Sequence, residues 1–199
     1  AIHCVGGWTL TDKVGAVLVV GGGISGIQVS LDLADSGFKV YLLDESSTIG
    51  GTMTQLDKTF PTNDCAMCIL APKLVSAGRH PNIELVMNTE IRDIEGEEGH
   101  FKVKLIRRPR RVNEEKCTGC GVCAQKCPVE AIDEFNQGLS QRNAIYVKYP
   151  QAVPLVCIID RDKCIGCGTC QEVCKAGAIE YDEEEKEIVL DVGSIVLAP

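Results

Sequence analysis

The sequence predicts an α/β fold in which a parallel-sheet dinucleotide-binding domain is interrupted by a small α+β cysteine-rich domain. Three observations carry that expectation. A short apolar run leads into the glycine turn Gly21-Gly22-Gly23-Ile24-Ser25-Gly26 and then a helical pattern. Nine of the twelve cysteines fall between Val112 and Glu185. The stretch Lys116–Cys123 recurs as Lys163–Cys170, 47 residues further on.

Gly15 to Val20 reads as a buried strand, followed by the glycine turn and a helix with Ile27, Leu31 and Ala34 at helical spacing. Gly37 is placed to end that helix in a left-handed conformation. Phe38 to Leu43 reads as a second strand that reaches Asp44-Glu45, completing a βαβ unit. Ser46 to Asp64, with Gly50-Gly51 and Pro61, reads as loop. Ile69 to Gly78 reads as a helix closed by Gly78, and Ile83 to Met87 as a third strand. Thr89 to Arg108 alternates apolar and polar residues around Glu95-Gly96-Glu97-Glu98-Gly99, the pattern of a β-hairpin. Beyond the basic run Arg107–Arg111 the composition changes: residues 112–185 carry 13 acidic and 7 basic side chains, so most of the net charge of -8 lies there. Glu187–Leu190 and Ser194–Leu197 return to apolar strand character. The expected boundaries are therefore 14–111 with 186–199 for the dinucleotide-binding domain, and 112–185 for the insertion.

At 45% apolar residues the chain has the material for a core. No apolar run approaches the ~18 residues that a membrane helix needs, so no membrane span is expected. A net charge of -8 with a pI near 4.9 argues against nucleic acid, since phosphate binding needs a basic face. The start Ala1-Ile2-His3-Cys4 lacks a basic segment before an apolar one, so no secretory leader is read and a cytoplasmic location is expected. It also lacks Met, which suggests a fragment or a processed chain.

Twelve cysteines mean either disulfides or metal, and spacing decides between them. The pattern C-x2-C-x2-C-x3-C occurs twice, as Cys117, Cys120, Cys123, Cys127 and as Cys164, Cys167, Cys170, Cys174. A cubane cluster needs four thiolates around it, and two-residue spacers let one tight loop wrap three corners. In bacterial two-cluster ferredoxins the fourth cysteine of each run serves the other cluster. The expectation is thus one [4Fe-4S] cluster on Cys117, Cys120, Cys123 and Cys174, and another on Cys164, Cys167, Cys170 and Cys127. Gly119, Gly121, Gly166 and Gly168 would let backbone N–H groups approach the inorganic sulfurs. Zinc needs only two C-x-x-C pairs and would leave the repeated third and fourth cysteines unexplained. Two clusters in one small domain suit electron transfer, and the acidic surroundings favour a low potential. Pro128 follows Cys127 but Lys175 follows Cys174, a small departure from the strict pattern.

The turn Gly21-x-Gly23-x-x-Gly26 follows a strand and opens a helix, and Asp44 ends the next strand 18 residues after Gly26. Gly21, Gly22, Gly23, Ser25 and Gly26 would bring backbone N–H groups to a pyrophosphate at the helix N-terminus. Asp44 would accept from ribose hydroxyls and disfavour a 2'-phosphate. Gly50 and Gly51 shortly afterwards favour FAD over NAD, a placement similar to the second glycine pair of two-dinucleotide-binding flavoproteins. Ser194 to Pro199 is similar to the start of the strand that closes the FAD half in that family.

Four segments together resemble the iron-sulfur A subunits of heterodisulfide reductases: Gly21–Gln28, Gly50-Gly51-Thr-Met53-x-Gln55 through Pro61, Cys65-x-x-Cys68, and Pro150-Gln-Ala-Val-Pro154. The resemblance runs from about Val14 to Pro199. It implies a Rossmann-like, thioredoxin-reductase-like FAD domain interrupted by a bacterial 2[4Fe-4S] ferredoxin-like domain. It further implies an oxidoreductase component of methanogenesis whose FAD takes electron pairs from a hydrogenase or formate dehydrogenase module. In flavin-based bifurcation those pairs are split between ferredoxin and heterodisulfide-reducing partners. No side chain in the sequence reads as a general acid, base or nucleophile for an organic substrate, so chemistry would be borne by the flavin. Two alternatives are an autonomous flavin disulfide reductase using Cys65 and Cys68, and a non-catalytic ferredoxin-like carrier.

Cys65 and Cys68 stay open between a redox dithiol, a structural disulfide, two ordinary buried thiols, and part of a third cluster that Cys4 would join. Cys157 reads as a core thiol. His80 reads as a helix-end residue, and His3 and His100 have no assigned role. Arg107 to Arg111 reads as a solvated linker, or as a docking site for an acidic electron carrier.

Overall fold

The computed structural model describes residues 13–199. Strand β1 (Ala16–Val20) enters α1 (Ile24–Asp35), which ends at Ser36 with Gly37 at φ 93° just beyond, as expected. Strand β2 (Lys39–Asp44) follows. The segment after it is not all loop: a 3-10 helix covers Gly51–Gln55, and the short strands β3 (Lys58–Thr59) and β4 (Asp64–Cys65) pair antiparallel. Helix α2 (Ala66–Arg79) then leads to β5 (Ile83–Met87).

The hairpin of β6 (Thr89–Glu97) and β7 (His100–Arg107) is tighter than its sequence suggested. Pairing continues to Glu97 and His100, leaving Glu98-Gly99 as the turn with Gly99 at φ 95°. The cysteine-rich stretch holds α3 (Val122–Lys126), β8 (Glu130–Ile132), β9 (Gln141–Asn143), β10 (Ile145–Tyr146), β11 (Ile158–Ile159) and α4 (Thr169–Val173). The chain then returns through β12 (Lys186–Val192) and β13 (Ser194–Leu197).

The return strands join sheets begun more than eighty residues earlier. The parallel sheet runs β13-β1-β2-β5, and β12 extends the antiparallel hairpin as β12-β7-β6. Strand residues point alternately to opposite faces, so β1 divides its side chains between two layers. Val17 and Val19 face the helices α1 and α2 in a cluster with Ile27, Leu70 and Leu74; Ala16 and Leu18 face the antiparallel sheet with Val103, Leu105 and Val192. Strand β2 repeats the division, with Val40 and Leu42 on the helical side and Leu43 opposite. Both faces being covered, these strands are apolar throughout rather than alternating.

A third cluster holds Val112, Cys123, Ile145, Val156, Cys157, Ile159, Cys170, Ala178 and Ile179. Residues between its parts pack elsewhere. Phe135, Tyr149, Ala152 and Val153 lie against the helical face of the parallel sheet. Val153 bridges Ile49, and the Tyr149 hydroxyl donates to the Ile49 carbonyl.

That packing explains a departure from the sequence reading. Gly78 does not close α2 but lies inside it, where a Cβ would stand 2.6 Å from the Val153 side chain; the glycine permits a close approach instead of a cap. The helix also starts three residues earlier than Ile69, because Cys65 caps it, its sulfur accepting from Cys68 N at 3.1 Å. The basic run is not a solvated linker either. Arg107 and Arg108 pair with Glu114 and Glu90, and Arg110 is 2% exposed. Among the described residues no helix is long and apolar enough to cross a membrane.

Candidate functional site

Three cavities collect the residues singled out by the sequence. The first lies where α1 meets the C-terminal ends of β1 and β2. About 700 Å³ in volume, it is lined by Gly21, Gly23, Ser25, Asp44 and Gly51, with Glu45, Met53, Ile91, Ala198 and others. Gly23 is the N-cap of α1 and offers no capping side chain, and a Cβ there would meet nothing within 4 Å. The first-turn N–H groups of α1 are thus left to another acceptor, the arrangement that suits a pyrophosphate.

The other expected cofactor residues shape this cavity from behind. A Cβ on Gly26 would stand 1.8 Å from the Gly21 carbonyl oxygen, so this glycine serves helix–strand packing. Gly22 is buried and its N–H donates to Asp44 Oδ2 at 2.6 Å, while Ser46 N donates to Asp44 Oδ1 at 2.7 Å. A carboxylate has about four acceptor positions, so the two that these N–H groups fill fix Asp44 and leave capacity for ribose hydroxyls. Gly50, at φ 123°, donates to the Gly22 carbonyl at 2.7 Å, where a Cβ would meet the Tyr149 hydroxyl at 2.8 Å. The donor geometry and the open helix end fit the dinucleotide part of FAD.

Arg110 ties this loop to the cysteine-rich stretch. Its Nη2 donates to the Ser47 carbonyl at 2.6 Å, its Nη1 to the Val156 carbonyl at 3.4 Å, and its Nε to Glu114 Oε1 at 3.0 Å. Burial lowers its pKa, opposed by Glu114. Lys148 Nζ donates to Ser46 Oγ at 2.6 Å on the same loop, and burial lowers its pKa too.

The second cavity, about 500 Å³, is lined by Cys117, Cys120, Cys123 and Cys174, together with Cys157. The third, much narrower at about 10 Å³, is lined by Cys127, Cys164, Cys167 and Cys170, together with Tyr181. The local structure repeats with the sequence. Gly119, Gly121, Gly166 and Gly168 all have positive φ, at 65°, 73°, 71° and 79°. Gly121 and Gly168 open α3 and α4, and Cys127 and Cys174 end them. Each fourth cysteine therefore leaves its own loop at the end of a short helix, and it lines the cavity of the other loop.

Among the described residues no three His, Cys, Asp or Glu side chains converge on a point that would hold a single ion. The cysteines of the second cavity instead surround a space. Four thiols around an apolar cavity match the donor chemistry of an iron–sulfur cluster. At the third cavity the donor set matches, although the room is less.

Two neighbours of these thiols were not anticipated. Cys157, read from the sequence as ordinary core, is 1% exposed but stands with its sulfur 3.6 Å from Cys123 Sγ. That contact lowers the Cys123 thiol and, with burial, raises Cys157. Tyr181 Oη lies 2.8 Å from Cys170 Sγ, and burial followed by that sulfur pushes the phenol up. Neither residue belongs to the repeated motif, so spacing alone did not reveal them. Burial raises Cys170, whereas the hydroxyl and N–H of Thr169 lower Cys167.

Cys65 and Cys68 form a disulfide with Cα atoms 5.2 Å apart, and both are exposed. They are therefore not two ordinary buried thiols. Cys4 lies outside the described residues. His80 ends α2, its Nε2 3.2 Å from Asp35 Oδ1 and its Nδ1 accepting from Asn82 N, a local structural role.

Two family models match. One, described as FAD dependent oxidoreductase, covers residues 16–103; the other, 4Fe-4S binding domain, covers residues 110–133 and 157–180. The chain is 59% identical over 185 residues to the first of two iron-sulfur A subunits of CoB–CoM heterodisulfide reductase in Methanopyrus kandleri, with 92% of this chain and 28% of that protein covered. It is 52% identical over 181 residues to the A subunit of the H(2):CoB-CoM heterodisulfide,ferredoxin reductase of Methanothermobacter marburgensis, with 91% and 28% covered. The chain thus spans little more than a quarter of the length of these curated relatives. Among solved structures, a putative thioredoxin reductase from Bacillus anthracis aligns at a TM-score of 0.34 and 21% identity over 44% of this chain and 30% of that one.

Proposed function

Across its matched residues the chain belongs to the family of heterodisulfide reductase A subunits, and on that premise we propose that it is the flavin and two-cluster electron-transfer module of a complex of this kind. The observation that carries the reading is the pairing of eight repeated cysteines into two cavities, next to a glycine-turn cavity in the same chain. In this reading Gly21, Gly23, Ser25, Asp44 and Gly51 hold FAD directly, while Gly22, Gly26 and Gly50 shape the cradle. Cys117, Cys120, Cys123 and Cys174 hold one [4Fe-4S] cluster. Cys164, Cys167, Cys170 and Cys127 hold the other.

Bound FAD supplies the exchange between two-electron and one-electron chemistry, and bound clusters supply one-electron steps. The chain's residues bind and orient. Asp44, held by two backbone N–H groups, is set to receive the ribose. The N-terminal end of α1 would hold the pyrophosphate charge. Arg110, Tyr149 and Val153 brace the loop Ser46–Gly51 against the cysteine-rich stretch, so the two kinds of site are held in one frame. Ferredoxin, heterodisulfide-reducing subunits and a hydrogenase or formate dehydrogenase module are the partners we propose, with bifurcation as the overall process. Anaerobic photoreduction of the holoprotein, followed by optical and EPR spectroscopy, tests the module. Cluster signals should rise as flavin is reduced. Flavin reduction that leaves every cluster oxidised at equilibrium with a low-potential donor would refute it.

The exposed disulfide at the start of α2 favours a second reading, in which Cys65 and Cys68 act as a redox pair. A disulfide exposed at a helix N-terminus is open to attack by a thiolate, which supports exchange chemistry. Replacing both by Ser should abolish disulfide reduction and leave flavin-to-cluster transfer intact. Unchanged disulfide reduction would remove this reading, while loss of about four irons would assign the pair to a third cluster.

A further inference from the structure

Cys123 and Cys170 occupy the same position, the third cysteine, in the two copies of the repeat. Each has one extra partner that the repeat does not supply. Tyr181 Oη lies 2.8 Å from Cys170 Sγ, and Cys157 Sγ lies 3.6 Å from Cys123 Sγ. Both partners line the cavity of the cysteine they touch. On the reading above, Cys123 and Cys170 are cluster-bound thiolates and carry no proton, so the extra partner must be the donor at both contacts. The donors are unequal: a phenol O–H is a strong donor at short range, whereas a thiol S–H is a weak one.

We propose that Tyr181 and Cys157 are positioning residues that set the two clusters at different potentials, Tyr181 raising its cluster by more. Reduction adds negative charge to cluster and ligands, so a donor aimed at a ligand sulfur stabilises the reduced form more than the oxidised one. The stronger donor therefore makes its cluster the better electron acceptor. Equivalent loops with unequal donors give the electron a preferred direction between two sites that share the same four-thiolate donor set, and the Thr169 hydroxyl, 3.4 Å from Cys167 Sγ, lies on the same side as Tyr181. The acidic side chains beside Tyr181, among them Glu180, Asp182 and Glu183, act on both redox states and are untouched by removal of the hydroxyl.

The test is an EPR-monitored redox titration of the anaerobic holoprotein, with iron and sulfide counted per chain. Tyr181→Phe removes one oxygen. It should leave iron content unchanged and lower one midpoint potential, shifting the exchange equilibrium between the clusters roughly tenfold, which is about 59 mV for one electron. Cys157→Ala should lower the other potential by less. Full iron content with unmoved potentials in Tyr181→Phe, or a larger shift in Cys157→Ala, overturns the proposal. Should Tyr181→Phe lose iron, the wild-type protein still decides: reduced in D2O, it should lose a proton coupling at the cluster in electron–nuclear double resonance. Lack of any exchangeable proton there overturns the proposal. Absence of cluster signals in the wild type would instead overturn the two-cluster reading on which it rests.

Discussion

Replacing Arg110 by Met should destabilise the protein by about 3 kcal/mol and loosen the flavin loop. Methionine keeps much of the side-chain volume, so the loss is that of charge and donors rather than of packing. Arg110 is 2% exposed and its guanidinium serves three acceptors on three segments: Ser47 O, Val156 O and Glu114. Ser47 and Val156 are 7% and 5% exposed, so their carbonyls cannot turn to water; each orphaned buried acceptor costs about 1–3 kcal/mol. Glu114 loses less, because it is 34% exposed and keeps Arg107. Against this stands the recovered cost of burying the guanidinium, which lowers its pKa. The balance falls near the lower end of the range of about 3–5 kcal/mol for breaking a buried pair. Urea unfolding of the holoprotein, followed by flavin absorbance and by iron release, measures it. Both signals should move to lower urea together, since Arg110 joins the two regions. A change under about 1 kcal/mol, or a shift in the iron signal alone, would refute the bracing role.

The glycine turn separates two effects. Gly26→Ala places a methyl 1.8 Å from the Gly21 carbonyl and should cost about 1–3 kcal/mol or more, whereas Gly23→Ala meets no protein atom within 4 Å and should keep the fold but weaken flavin binding. Thermal unfolding and flavin per chain distinguish them. The double variant Cys117→Ser with Cys174→Ser should lose about four irons if the sets interleave; about eight lost would mean that each motif holds its own cluster. Tyr149→Phe leaves the buried Ile49 carbonyl without its donor and should lower stability by about 1–3 kcal/mol in the same unfolding assay.

Much of the fold was legible because local signals and tertiary environment agree. Strands β1 and β2 read correctly as buried runs since both faces are covered, β5 read correctly as a strand, and Gly37 ends α1 because its φ of 93° suits glycine. Gly78 misled because a glycine near a helix end has two uses, and only the long-range approach of Val153 reveals which one applies. Arg110 looked like one more charge in a basic run, although it is the buried member, and nothing local separates it from Arg108. At the sites the repeat marked the thiols and glycines, but it could not mark their unrepeated neighbours. Cys157 and Tyr181 reach Cys123 and Cys170 only through folding.

Iron, acid-labile sulfide and flavin counted per chain in anaerobically purified holoprotein test the central claim most directly. Two cubanes and one flavin predict about eight irons, about eight sulfides and about one FAD, with about twelve irons if Cys65 and Cys68 join a third cluster. About four irons or fewer would contradict the account.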